Sequence, residues 1–521
     1  PHSHRRRHPS NISASRALAE DIALAADDAL NTIEDAVLHA ARIAPWFPGG
    51  RQSRPEAPPS LEVRRRVVVL GTGWAAHALA KVVDLSISEV CIVSPRNYFV
   101  FTPMLAAASV GTVEYRSILE HIRSANPTLG FYQGACEAVD VTRHEITVQP
   151  ATDSAKEAFV MPYDVLVIAV GLRPISLGVP GVKDHCLFLK DIEDARAIRR
   201  RVTECFECAD LPTAAEAERR RLLTFAVVGG GPTGCEFCGE LSDFVRNDLR
   251  RFYPKLARFV RILLLHRGAA ILPAFGVELQ QAAFETLVSQ GIEVELSTSV
   301  SNVSADMLTI RRAGSLDEET IPCGMCVWAA GQGGQGIVGA LHAQIPAQTQ
   351  LANAENRGRT DYLFVDDWLR VVGVQDGSIL ALGDCAQIAG AAATLPRTAQ
   401  VAAQQGAYVS RLLNRRYLLG LDGPPRLPSD AGLLQTARAR WQSEAPRFQF
   451  LDLGRLAYLG EDKAVAEVGL GSTAVSQAAG RAAFLLWRSV YLVKQVSFRN
   501  RVLVLFDWVK SRVFGRDLTR F

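Results

Sequence analysis

Two glycine-rich segments supply the residue types that cradle a pyrophosphate. Gly71-Thr72-Gly73-Trp74-Ala75-Ala76 follows the apolar run Val67–Leu70, and Gly229-Gly230-Gly231-Pro232-Thr233-Gly234 follows Phe225–Val228, 158 positions later. Between a strand and a helix, the first glycine of such a segment makes a tight turn. The second lets the backbone approach a pyrophosphate, which then sits at the helix N-terminus. Ala76 holds the third position of the first segment, a replacement the pattern tolerates. One such segment is weak support for a nucleotide site. Two in one chain imply two dinucleotides, most economically FAD and a nicotinamide dinucleotide.

A third segment, Ile379-Leu380-Ala381-Leu382-Gly383-Asp384, reads as a strand ending in Gly-Asp, which would set a carboxylate against a ribityl or ribose hydroxyl. Three cysteine pairs, Cys205/Cys208, Cys235/Cys238 and Cys323/Cys326, have the CxxC spacing of zinc or redox-dithiol sites. The second pair falls inside the helix expected after Gly234, and the third flanks an apolar run. All three therefore read as small packing residues, and no metal is expected.

These residues need a scaffold, and strand and helix patterns alternate from Arg64 onward, as in a doubly wound α/β fold. Val165–Val170, Phe225–Val228 and Val260–Leu265 are continuous apolar runs, as parallel strands covered on both faces require. A helix is expected from the second glycine segment through Leu249. Ahead of this body, residues 13–44 are Ala-rich with helical spacing (Leu18, Ile22, Leu30, Ile33, Val37, Leu38), and a Pro/Gly-rich linker follows. Beyond residue 420, Phe448–Leu453 and Leu456–Leu459 read as short strands, with helical, basic, aromatic-rich sequence from there to the end.

The 521 residues, 48% hydrophobic and 21% charged, suit two or three folded domains. The net charge of +3 is uneven: residues 481–521 carry nine Lys/Arg against Asp507 and Asp517. A basic tail on a mildly acidic body points to a local surface contact and away from a nucleic-acid groove. The longest apolar run, Ala482–Val493, is broken by Arg488 and is too short to cross a bilayer. Interleaved aromatics and Lys/Arg suit a membrane interface; the alternative is a helix pair packed on the body or on a partner. No acid precedes Glu20, while His and Arg abound there, which reads as the remains of a targeting segment or as a polar arm.

Taken together, Val69–Ala76, Ser94–Leu105, Gly111–Val113, Tyr163–Gly171, Glu193–Cys205, Phe225–Tyr253, Trp328–Gly331, Leu395–Gly406 and Phe514–Phe521 resemble the type II (alternative) NAD(P)H:quinone oxidoreductases, in their plant, algal and fungal mitochondrial branch. The resemblance covers nearly everything after residue 64. It implies an α/β fold of two tandem Rossmann-like dinucleotide-binding domains, the two-dinucleotide-binding flavoprotein fold, with a C-terminal amphipathic helical membrane-binding region. The implied division is 1–60 extension and linker, 61–190 and 326–420 the two parts of an FAD domain, 191–325 an NAD(P)H domain, and 421–521 a quinone- and membrane-interface domain. The implied reaction passes hydride from NADH or NADPH to FAD and two electrons on to a membrane quinone, without pumping protons. The implied location is the mitochondrial inner membrane, peripherally, with a plastid membrane as second choice. A homodimer or association with respiratory complexes is compatible with it.

By the same resemblance, Gly71, Gly73, Trp74 and Ala75 would cradle the FAD pyrophosphate. Thr102, Pro103 and Met104 would pack by the isoalloxazine, with Gly171 near the FAD. Gly383 and Asp384 would hold the ribityl chain. Gly229, Gly231, Pro232 and Gly234 would take the NAD(P)H pyrophosphate, with Gly331 beside them and Glu236 by the nicotinamide. Gln400 and Gln404, one helical turn apart on one face, would face the flavin and the quinone head.

Three features depart from the general pattern. The acidic residue expected after the second strand of the first unit is Ser94, as in this branch of the family. In the second unit it is His266, followed by Arg267. A carboxylate there would repel the 2′-phosphate of NADPH, whereas a His/Arg pair would attract it, so NADPH use is expected, with or without NADH. Arg397 replaces a usual proline near the expected quinone entrance. Two rival readings stand beside the main one: a catalytically inactive structural subunit of a respiratory assembly, and a soluble disulfide reductase. The second needs a dithiol against the flavin, and the usual positions hold no cysteine pair.

Overall fold

The computed structural model describes residues 64–519, apart from 153, 155–156, 356–357, 392–393, 430, 432–442 and 471–472, together with 22, 24–26, 29–33 and 35. The expected basic arm, the linker, Leu18, Val37, Leu38 and Phe521 lie outside the described residues. Ile22, Leu30 and Ile33 of the front piece are helical but exposed. A polar tie holds it to the body, Asp35 pairing with Arg411 at 2.7 Å.

The chain forms two compact units. Unit 1 comprises Pro1–Phe99, His121–Arg173 and Gly333–Asp452. Its parallel sheet runs in the order Ile379–Ala381, Val165–Ile168, Arg65–Leu70, Ser88–Ser94, Gly130–Asp140, and the antiparallel strands Glu145–Pro150 and Phe159–Pro162 extend it. Val67, Val68, Val69 and Leu70 are buried, because helices cover the sheet. Helix Trp74–Val82 lies against helix Ala399–Asn414 so closely that a Cβ on Gly406 would stand 2.1 Å from the Ala75 carbonyl oxygen. Only a residue without a side chain fits there.

Unit 2 comprises Val100–Glu120, Pro174–Gln332 and Leu453–Phe521. Its five parallel strands run in the order Leu187–Phe188, Met325–Trp328, Thr224–Val228, Arg261–Leu265, Ile292–Glu295. Helix Ile192–Asp210 starts at an Asp191/Asp194 capping box, which satisfies donors that a helix end leaves free. Helix Pro232–Phe244 follows the second glycine segment, continues as one π turn over Val245–Leu249 and runs on through Arg250–Phe252, three residues past the expected end at Leu249.

The C-terminal region corrects the sequence reading. Phe448–Leu453 is irregular, and Arg455–Gly460 is the first strand of a three-stranded antiparallel sheet completed by Lys463–Leu470 and Thr473–Gly480. Residues 463–480 were expected to be helical. The two helices come later, as Arg481–Val493 and Phe498–Phe514. Among the described residues, no helix is long and apolar enough to cross a membrane.

Candidate functional site: two glycine cradles and a buried acid

In unit 1, Gly71 turns at φ +107° and donates its N–H to the Val93 carbonyl at 2.9 Å. A Cβ on it would lie 2.5 Å from the Ala169 oxygen, so the turn demands glycine. Gly73 caps helix Trp74–Val82, and a Cβ there would meet nothing within 4 Å. Gly171, at φ +62°, is open in the same way. Empty space beside glycines at a helix N-terminus is a cradle that a side chain would fill, and it fits a pyrophosphate. Trp74 meets the Phe99 ring edge-on at 5.0 Å, and Ala75 is buried. The Ser94 hydroxyl lies 3.3 Å from that of Thr72 and accepts the Arg96 N–H.

Gly383 and the half-buried Asp384 form a tight turn after strand Ile379–Ala381. The Gly383 N–H donates to Gln405 Oε1 at 2.6 Å. A cavity of about 440 Å³ adjoins this turn, lined by Gly383, Gln387, Gln405, Tyr362 and Arg397. Arg397 stacks on the Tyr362 ring at 5.1 Å. Gln404 is held by the backbone of a following segment. Its Nε2 donates to the Leu451 carbonyl at 2.9 Å and its Oε1 accepts the Leu451 N–H at 3.0 Å, so both ends of the amide serve the backbone. Gln405, one position on, is the buried glutamine at the Gly-Asp turn, and the spacing argument missed it. Gln400 is half-buried one turn before Gln404.

Unit 2 repeats the device. Gly229 turns at φ +119°, donates to the Leu265 carbonyl at 2.9 Å, and has no room for a Cβ beside Ala329. Gly231 is open, with nothing within 4 Å of an ideal Cβ. Pro232 opens the helix, where its missing N–H costs nothing. A Cβ on Gly234 would lie 2.0 Å from the Gly229 oxygen, which is how tightly helix and turn are packed. Gly331 turns at φ +80° against the Leu177 side chain.

His266 is half-buried. Its ring lies against Gly230, its Nδ1 accepts the Gly230 N–H at 3.1 Å, and burial lowers its pKa, favouring the neutral form. Arg267 beside it is exposed.

Thr102, Pro103 and Met104 form a short 3-10 turn in unit 2, with Met104 fully buried. Gln495, 1% exposed, donates from Nε2 to Met104 Sδ at 3.3 Å, while its Oε1 is buried without a partner. A buried acceptor left unpaired is costly, so this spot suits a ring system bearing an N–H. Sequence reading passed over Gln495, because only the fold brings it to Met104.

Glu236 sits in the first turns of helix Pro232–Phe244, 8% exposed. It accepts the Tyr458 N–H at 3.3 Å, and burial pushes its carboxyl up to about 8. Cys235 and Cys238 are wholly buried beside it, and burial pushes both thiols above their ordinary range. All ten cysteines are free. On the last two helices, Leu485, Phe498, Phe506, Val509, Val513 and Phe514 are exposed. The opposite face is seated in unit 2: Asp507 accepts the Glu114 N–H at 3.0 Å, and Asn500 donates to the Leu119 carbonyl at 3.0 Å.

A strand, glycine turn and helix on each of two parallel sheets, with a Gly-Asp turn closing the first, define a two-dinucleotide-binding flavoprotein. Residues 65–406 match the family model of the pyridine nucleotide-disulphide oxidoreductases, and 453–517 match that of the NDH2 C-terminal domain. The external alternative NAD(P)H-ubiquinone oxidoreductase B1 of Arabidopsis thaliana mitochondria is 33% identical over 543 residues, 87% of this chain and 91% of the relative. The external NADH-ubiquinone oxidoreductase 2 of Saccharomyces cerevisiae mitochondria is 36% identical over 462 residues, 87% of this chain and 82% of the relative. In fold, the structure matches NDH2 from Plasmodium falciparum in complex with NADH, with a TM-score of 0.77, 24% identity, and coverage of 88% of this chain and 100% of that one. The chain belongs to the pyridine nucleotide-disulphide oxidoreductase family and, within it, to the alternative NAD(P)H-ubiquinone oxidoreductases.

Proposed function

We propose that this chain is a non-proton-pumping NAD(P)H:quinone oxidoreductase of the mitochondrial inner membrane. The observation that carries the proposal is the pair of open cradles at Gly73 and Gly231, each at the head of a helix that follows a parallel strand. Relatives named for NAD(P)H and ubiquinone, aligned over most of the chain, support the same reading.

When bound, FAD supplies the two-electron chemistry that links a hydride donor to a quinone. The protein's part is to bind and orient. Gly71, Gly73, Trp74 and Ala75 receive the FAD pyrophosphate, Ser94 the adjoining ribose, and Gly383 with Asp384 the ribityl chain. Thr102, Pro103, Met104 and Gly171 line the ring system, with Gln495 added to the expected set. Gly229, Gly231, Pro232, Gly234 and Gly331 receive the NAD(P)H, Arg267 selects its ribose end, and Glu236 holds a proton at its carboxyl near the nicotinamide. Gln400 and Gln404 face the acceptor side, with the Gln404 amide also braced by the Leu451 backbone. The expected domain division, with FAD on 61–190 and 326–420, NAD(P)H on 191–325 and an interface domain on 421–521, is kept as part of this proposal.

We further propose that the exposed apolar face of the last two helices rests on the membrane. Its apolar side chains and flanking Arg481, Arg499 and Arg501 suit a surface with anionic head groups. The test is the purified full chain with NADH or NADPH and a quinone. Oxidation of the nucleotide matched one-for-one by quinol is expected. A flavin-loaded chain that oxidises neither nucleotide contradicts the proposal and favours the structural-subunit alternative.

A further inference from the structure

The helix that starts at Pro232 ends in a cationic corner with an aromatic at its tip. After Phe244 it passes through the π turn Val245–Leu249 and finishes as Arg250–Phe252. A π turn adds one residue, so side chains beyond it are rotated by about 100° from their α-helical places. Leu249 is wholly buried there, whereas Phe252 is 63% exposed. Phe252 stands among Arg250, Arg251 and Lys255, all exposed. Residues 245–259 carry five Lys/Arg against a single acid, Asp248.

Packing holds the corner in place. The Tyr253 N–H donates to the Leu249 carbonyl at 2.8 Å, its hydroxyl donates to Glu207 at 2.8 Å, and its ring meets Phe206 at 5.4 Å. Leu256 and Phe259 are buried beyond it. A lone exposed phenylalanine needs no explanation, but Phe252 adjoins a second apolar surface. Asp248 accepts the Arg516 N–H at 2.8 Å and pairs with the Arg516 guanidinium at 2.8 Å, both side chains being buried. That clasp neutralises the one acid of the corner and fixes the end of helix Phe498–Phe514 beside it. A Cβ on Gly515 would stand 2.8 Å from Asp248 Oδ1 and 4.0 Å from Arg251 Nη1. Val513 and Phe514, just before it, are 66% and 81% exposed. Arg250 and Lys255 have no acid partner among the described residues.

We propose that this corner is a second contact with an anionic lipid surface: Phe252 enters the head-group layer, and Arg250, Arg251 and Lys255 meet the lipid phosphates. The inference rests on the reading that the exposed face of the last two helices lies on the membrane, and it extends that contact to the nucleotide-binding part of unit 2. Two observations choose a bilayer as the occupant. The first is charge: cations around an aromatic are what a layer of anionic head groups attracts and admits. The second is continuity, because the Asp248–Arg516 clasp joins the corner to the apolar end of helix Phe498–Phe514. The contact also orients the cofactor site. The helical stretch that ends at Phe252 begins at the open Gly231 cradle. At 1.5 Å per residue its ends lie about 30 Å apart, so lipid at one end turns the other toward water, where a soluble nucleotide arrives.

The test measures partition of the full, flavin-loaded chain onto sedimented vesicles of phosphatidylcholine, alone or mixed with the anionic lipid cardiolipin. Phe252→Ser is expected to weaken partition onto the anionic vesicles ~10-fold at low and high salt alike, because the lost contact is apolar. Arg250→Gln with Lys255→Gln should weaken it ~10-fold or more at low salt and little at high salt. Lys183→Gln with Arg200→Gln removes the same charge from exposed positions elsewhere in unit 2 and should change partition by about twofold or less. Turnover with ferricyanide, a water-soluble acceptor, should stay at the wild-type level in all three. Partition unchanged in both corner variants, or lowered equally by the Lys183 and Arg200 substitutions, overturns the second contact. Should Phe252→Ser lose ferricyanide turnover, the charge variants decide by the same outcomes. If Phe506→Glu with Val509→Glu weakens partition while the corner variants do not, only this inference fails. A wild-type chain that stays in solution with both vesicles contradicts the tail reading as well.

Discussion

The two nucleotide helices start alike and diverge within two turns. Gly71 and Gly229 turn at φ +107° and +119°, and each donates to the neighbouring strand at 2.9 Å. Past the turn, Trp74–Val82 buries Ala75, Ala76, Leu79, Ala80 and Val82 under another helix. Pro232–Phe244 buries Glu236, Glu240 and Asp243 under a strand. The fold therefore requires the glycines but not the acids. What differs between the two helices is chemistry placed on a repeated scaffold.

That contrast can be broken most severely at the open glycines. Gly73→Val keeps an allowed backbone and its Cβ meets no neighbour, so the fold should survive while bound FAD falls from about one per chain to near zero, read as flavin absorbance per protein. Gly231→Val should keep its flavin and raise the KM for NAD(P)H ~10-fold or more. Flavin lost from Gly231→Val but not from Gly73→Val would reverse the two assignments.

Next in size is Glu236→Gln, expected to slow quinone turnover by roughly 100-fold, the span of a general acid or base, in stopped-flow and steady-state assays. Retained turnover would make the buried acid structural. Arg267→Glu should lower kcat/KM for NADPH ~10-fold while leaving NADH within about twofold, because only NADPH carries the 2′-phosphate. His266→Ala should change the ratio less, since burial disfavours the charged ring and its Nδ1 already accepts the Gly230 N–H. On the tail, Phe506→Glu with Val509→Glu should weaken sedimentation with anionic vesicles and spare ferricyanide turnover. Removing the helices outright is a poor test, because Arg516, Asp507 and Asn500 bind within unit 2.

The smallest effect is on stability. The Glu236 carboxyl rises from 4.5 to about 8 on folding, so between those values the native state holds more protons than the unfolded chain. Stability is full below the lower value and is lost as pH rises toward the upper one. Wild type should lose a few degrees of Tm between pH 5 and pH 8, and Glu236→Gln should lose less. A steeper loss in the variant would contradict the assignment.

Much of this was legible in the chain. Continuous Val/Leu/Ile runs can only be parallel strands or buried helix, and the glycine segments arbitrated between them. Glu236, Glu240 and Asp243 were equally readable at helical spacing, but such a face reads as solvated until strand Arg455–Gly460 is known to cover it. The strands at 463–480 were missed because Ala464, Ala466, Ala474, Ala478 and Ala479 suppress the β-branched signal; they form a sheet through pairing with one another. Gln404 and His266 also make backbone contacts that their spacing did not announce. Their partners, the Leu451 backbone and the Gly230 N–H, are set by tertiary packing, which spacing does not encode.

The most direct test is an anaerobic titration of the purified chain, followed by its visible spectrum. A yellow protein whose flavin band bleaches with about one equivalent of NADH or NADPH, and returns on adding quinone, is the expected result. A colourless protein, or a flavin band that neither nucleotide bleaches, would contradict the assignment of two cooperating dinucleotides.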